Sequence, residues 1–134
     1  MKAGAGGPRL ATLWWVLGWA MVLLVCYATL APSHDVPDLG INDKLEHATA
    51  FGGLTFWFGG LVRRRRYWVL GVALSAFGAA IEVAQGTMGL GRDMDIHDWM
   101  ADSCGILVAL GLLICIPRGR GSGLKICLPP PAPI

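Results

Sequence analysis

Long apolar runs broken by short polar segments set the pattern of the chain. Residues 10 to 30 carry no charge, and at about 1.5 Å of rise per residue a run of this length matches the hydrocarbon thickness of a bilayer. A second run, 45 to 62, stops at Arg63, and a third, 67 to 85, starts directly after Arg66, which predicts a tight helical hairpin. The fourth, 99 to 116, closes at Pro117. The pattern predicts an all-α, four-helix transmembrane bundle over residues 1 to 117. A Pro- and Gly-rich tail, 118 to 134, is expected to be disordered. Lys2 and Arg9 before the first run would also suit a signal peptide. That run is longer than a usual signal core, and Pro32 follows Ala31 directly, so an uncleaved anchor is expected. Leu23 to Cys26 matches a lipid-attachment box only loosely, with Val25 where a small residue belongs.

Composition agrees: 54% hydrophobic residues, 15% charged residues and a mean hydropathy of +0.56 are too apolar for an ordinary soluble domain. The charges are sorted. All 9 acidic residues lie between Asp35 and Glu46 or between Glu82 and Asp102. Of the 11 basic ones, all but Lys44 and Arg92 fall near the termini or at Arg63 to Arg66. Basic flanks mark the cytoplasmic face, which predicts both termini inside, the acidic segments outside and an even number of crossings. The arginine run is expected to fix topology, with anionic lipid headgroups as further partners of Arg63, Arg64, Arg65 and Arg66. No nucleic-acid module surrounds these residues. Cys26, Cys104, Cys115 and Cys127 lack CxxC or metal-ligand spacing, so neither a disulfide nor a zinc site is expected. Small residues at Ala76, Ala80 and Ala84, and at Gly105 and Ala109, have the spacing of helix-packing surfaces.

The polar residues converge at the acidic face. The second helix opens with Asp43, Lys44, Leu45, Glu46 and His47, where Asp43 as cap and Glu46 reaching back make a capping-box variant. Capping does not account for His47, which stands where the apolar run begins and can carry a proton near neutral pH. Glu82 lies one turn before the outer end of the third run, with Gln85 three residues on. A carboxylate in a membrane helix seldom points at lipid. Asp95, Asp98, Asp102 and Gly105 share one face of the fourth helix. Neighbouring helices alternate in direction, so His47, Glu82 and Asp102 are expected at similar depth, with Lys44 and Arg92 as counter-ions.

Three motifs stand in order: DKLEH at Asp43 to His47, IEVAQ at Ile81 to Gln85, and RDMDIHDWMADSCG at Arg92 to Gly105. Together they resemble the VanZ-like family of small bacterial integral membrane proteins, over about half the chain in motif terms and all of it in span layout. The resemblance implies a four-helix bundle in the bacterial inner membrane and a role in the cell envelope. The namesake is linked to lowered susceptibility to teicoplanin, and no settled reaction comes with the family. Its polar positions fall on Asp43, Lys44, His47, Glu82, Gln85, Arg92, Asp95, Asp98 and Gly105. Asp102 stands where the family commonly has Asn, which adds a charge.

The expected function is binding of a lipid, a lipid-linked precursor or a glycopeptide-like amphiphile at this outer cluster. A purely structural clamp is the plainer alternative, with Lys44 and Arg92 tying the carboxylates together. A membrane enzyme would use His47 with Glu82 or an aspartate as acid and base, but Ser103 shows no evident triad, so a non-enzymatic role is favoured. A small transporter is opposed by the lack of ionisable residues at mid-membrane. His47, His97 and the aspartates are metal-ligand types without tight spacing, so no metal or cofactor is expected. Oligomeric state is not indicated.

Overall fold

The computed structural model describes residues 7–32, 35, 42–89, 91 and 93–117, with only the backbone described for 7–9. These residues form helices α1 (Gly7–Leu30), α2 (Asp43–Leu61), α3 (Tyr67–Met88) and α4 (Ile96–Cys115), with a 3-10 turn at Arg64–Arg66 and no strand among them. The chain is thus an all-α bundle of four helices. Three of these, α1, α3 with its leading turn, and α4, are long and apolar enough to cross a membrane. Helix α2 is not among them. Asp43, Lys44 and Glu46 crowd its first turn, and Gly52, Gly53, Gly59 and Gly60 stand where apolar side chains would raise its hydropathy. The tail 118 to 134, Arg92 and Cys127 lie outside the described residues.

Helix ends depart from the apolar runs in a systematic way. Helix α3 continues past Gln85 to Met88, where Gly89 adopts the left-handed conformation that ends many helices. Helix α4 begins at Ile96, three residues before its apolar run. Hydropathy reports what lipid tolerates, whereas backbone hydrogen bonding runs on into polar turns. The cap of α2 is Asn42 rather than Asp43: its side chain accepts the Lys44 N–H at 3.0 Å.

Helix α2 is the centre of the bundle. Phe51 and Leu54 are fully buried, packed with Phe58, Leu61, Leu74, Ile81 and Ile106. Its closest neighbour is α4, and glycine makes that approach possible. A Cβ on Gly105 would collide with the Ala48 carbonyl, and one on Gly52 would lie 3.3 Å from the Gly105 oxygen. Lipid tails are as apolar as leucine, so backbone proximity of this kind is a main source of helix association. Gly105 and Ala109 are buried there as expected, but Ala76 and Ala80 are exposed. The packing face of α3 is instead Leu74, Gly78, Ile81, Glu82 and Gln85. The alanine stripe begins two positions round the helix from Leu74, about 200° away, so alanine spacing alone cannot say which side meets protein.

Helix α1 is joined more sparsely. Trp14 stacks on Trp57 with ring centres 4.2 Å apart, and the Trp57 indole donates to the Trp14 carbonyl at 3.0 Å. Phe58 lies between Trp15 and Trp19 and over Gly18. At the other end, the Gln85 amide donates to the Thr29 carbonyl at 2.8 Å. The rest of α1 presents Leu13, Val16, Leu23, Leu24 and Tyr27 outward, a surface suited to lipid.

Charge segregation maps onto the two ends of the bundle. Arg64 donates to the carbonyls of Leu113 and Ile116, closing the end of α4, which has no basic residue in its own last turn. One of the four arginines therefore has a structural role. The acidic segments gather at the opposite end.

Candidate functional site

Three helices deliver one polar side chain each to a buried point. His47 comes from the second turn of α2, Glu82 from late α3 and Asp102 from the second turn of α4. They are only 5%, 3% and 0% exposed, so whatever they bind is screened little by solvent. His47 Nδ1 and Asp102 Oδ1 are 3.0 Å apart, and His47 Nε2 is 4.0 Å from Asp98 Oδ2. One ligand atom from each of His47, Glu82 and Asp102 lies within 4.8 Å of the other two. The depth match expected for this trio is present.

An ionic rim surrounds it. Lys44 Nζ donates to Asp95 Oδ2 at 3.1 Å and to Asp98 Oδ1 at 3.0 Å, joining the start of α2 to the start of α4. These two carboxylates, Asp98 first, raise the Lys44 pKa. Asp95 caps α4: its Oδ1 accepts the His97 N–H at 2.8 Å and faces the His97 ring nitrogen at 2.7 Å. Those bonds, with Lys44 behind them, hold the Asp95 carboxyl well below the usual carboxylate range. Glu82 Oε2 in turn accepts the Asp95 N–H at 3.0 Å, so the α3 carboxylate also steadies the entry to α4.

Not every polar atom is satisfied. Glu82 Oε1, Gln85 Oε1 and Asp102 Oδ2 are buried without a hydrogen-bond partner. Asp102 Oδ2 looks toward Gly78, where an added Cβ would lie 2.6 Å from it. Gly78 stands one turn before Glu82 on the same face, so it makes the room that the side chain of Asp102 occupies.

Of the residues singled out by sequence, Lys44, His47, Glu82, Asp95, Asp98 and Asp102 are brought together. Asp43 is exposed at the mouth but shares a cluster with His47 and Asp98. Gln85 stands one turn beyond Glu82 and holds α1. Arg92 lies outside the described residues. His97 serves Asp95 at the surface and takes no part in the buried trio. Ser103 lies 3.4 Å from Ser75, which also accepts the Trp99 indole N–H, so its hydroxyl belongs to an α3–α4 link. Sequence reasoning misses Gly78 and Thr29. The place of Gly78 four residues before Glu82 is the available signal; a backbone carbonyl acceptor such as that of Thr29 leaves none.

Beside the cluster, α1 and α2 flank a half-open cavity of about 340 Å³. Met21, Leu24 and Val25 form its apolar wall, and Asp43, Glu46 and His47 stand among its lining residues toward the acidic end. It therefore has an oily flank and an end rich in hydrogen-bond acceptors. No family model, curated protein or solved structure matches the chain.

Proposed function

We propose that the chain is a VanZ-like protein of the bacterial inner membrane that binds an envelope amphiphile. The amphiphile would be a lipid, a lipid-linked precursor or a glycopeptide-like molecule. One observation carries this reading: the cavity between α1 and α2 joins a greasy wall to the acceptor-rich end at Asp43, Glu46 and His47. A long apolar tail fits the first, and a head bearing amine or hydroxyl donors fits the second. The sparse attachment of α1 favours entry of such a molecule from the lipid side, since few contacts must part.

Gly53 lines this cavity, and a Cβ there meets nothing within 4 Å, so a large side chain can fill the space without disturbing the core. Purification in native-lipid nanodiscs followed by mass spectrometry is expected to find a retained amphiphile in the wild type. Gly53→Trp is expected to lower its occupancy at least about tenfold, a loss of about 1.4 kcal/mol of binding, with the helical spectrum unchanged. Equal retention by both proteins would remove the reading.

The orientation proposed is that read from the charges: both termini and the arginine turn face the cytoplasm, and the polar cluster faces out. In a variant lacking the native cysteines, a membrane-impermeant thiol reagent added to intact cells is expected to label Pro37→Cys and spare Arg65→Cys. The reverse pattern would invert the compartment of the site. A second reading, a membrane enzyme using His47 with Glu82 or an aspartate as acid and base, is supported by the buried His47–Asp102 pair, which has the form of an acid–base couple.

A further inference from the structure

We infer that His47, Glu82 and Asp102 form a binding site for a single divalent cation of the Mn²⁺ to Zn²⁺ class, where α2, α3 and α4 meet. The inference does not rest on the amphiphile reading: of its three residues only His47 also lines that cavity. Geometry comes first. Ligand atoms around one such ion, each at about 2.1 Å, stand about 3 to 4 Å from one another. The three side chains already offer atoms within 4.8 Å of one another, and the His47 Nδ1 to Asp102 Oδ1 separation of 3.0 Å is that of neighbouring ligands.

The second argument is unused capacity. Glu82 is 3% exposed and Asp102 0% exposed, yet Glu82 Oε1 and Asp102 Oδ2 accept no hydrogen bond. A buried carboxylate oxygen left without a donor is costly, and a cation is the partner that answers several such oxygens at once. The Asp95 N–H holds Glu82 Oε2 in place and leaves Oε1 as the lone-pair donor open to one. Outer hydrogen bonds that orient ligating carboxylates in this way are a regular feature of metal sites.

Charge gives the third. Glu82, Asp98 and Asp102 are all buried, and among the described residues Lys44 is the one lysine or arginine ion-paired with this cluster, through Asp98 and Asp95. Asp102 is paired with His47 rather than with Lys44, and Glu82 meets the Asp95 N–H. Asp43, His47 and Asp98 form an overlapping trio, but the Lys44 ammonium 3.0 Å from Asp98 repels a cation there, and Asp43 is exposed. One imidazole with two carboxylates, and no thiolate among them, suits Mn²⁺, Fe²⁺ or Zn²⁺ better than the all-oxygen preference of Ca²⁺ or Mg²⁺. Coordination through His47 Nδ1 requires that nitrogen to carry no proton, so any proton on it moves to Nε2 or is given up to water.

The test uses the full chain in nanodiscs, stripped with EDTA and titrated separately with Zn²⁺ and Mn²⁺. Metal content after desalting and the melting temperature are the readouts. The expected result is one ion per chain and a raised melting temperature, with affinity falling at least about tenfold in Glu82→Gln and unchanged in Asp43→Asn. Absence of stoichiometric binding of either ion would overturn the inference, as would binding that survives Glu82→Gln or is lost with Asp43→Asn. Should Glu82→Gln fail to fold, X-ray absorption of the zinc-loaded wild type decides the matter. One nitrogen with carboxylate oxygens supports the site, and a sulfur ligand refutes it.

Discussion

Gly105→Ala will lower the stability of the bundle by about 3 kcal/mol, at the upper end of what overpacking costs. The added methyl meets the carbonyl oxygen, carbonyl carbon and Cα of Ala48, all backbone atoms that cannot rotate aside. Relief requires α2 and α4 to part, and the packing that their proximity provides is lost with it. Gly111→Ala is the internal control on the same helix. A Cβ at Gly111 meets nothing within 4 Å, so the better helix propensity of alanine should leave stability unchanged or raised by up to about 1 kcal/mol. Titration with a denaturing detergent, followed by helical signal, compares the two. Equal midpoints would show that the α2–α4 crossing is not glycine-dependent.

The second large effect concerns the buried pair. In EDTA, His47→Leu should cost about 3 to 5 kcal/mol, because it leaves the fully buried Asp102 without its imidazole. Asp102→Leu should cost less, since His47 keeps Asp98 at 4.0 Å. The double replacement should recover much of the loss, giving a coupling energy of up to about 3 kcal/mol. Additive single effects would mean that the two side chains do not act as a pair.

The fold is legible where the bilayer writes it most plainly. Apolar runs between punctuating charges locate all four helices, and the alternation of charge places His47, Glu82 and Asp102 at one depth. Three kinds of detail are not legible. The face of a membrane helix that meets protein is hard to read when every face is apolar, and so the alanine stripe of α3 looks like a packing surface while Gly78 does not stand out. Long-range backbone partners carry no mark in composition: Arg64 reads as a topology signal, yet it also closes the end of α4. Ligand groups drawn from separate helices have no sequence spacing at all. The His47, Glu82 and Asp102 cluster is therefore invisible to a search for adjacent ligands, although each member is conspicuous on its own.

The polarity of α2 has a consequence for what unfolding means in this molecule. Three charged residues crowd its first turn, it lacks a run fit to cross lipid unaided, and it is the helix most enclosed by the others. Pulled apart within the bilayer, α1, α3 and α4 could each stay embedded as solitary rods. For α2, exposure to acyl chains would strip away the protein that now surrounds the buried His47 and carry its charged first turn out of water, a large cost for an isolated segment. Dissociation of the bundle and ejection of its central helix toward water are thus the same event, and the neighbours of α2 serve as its solvent.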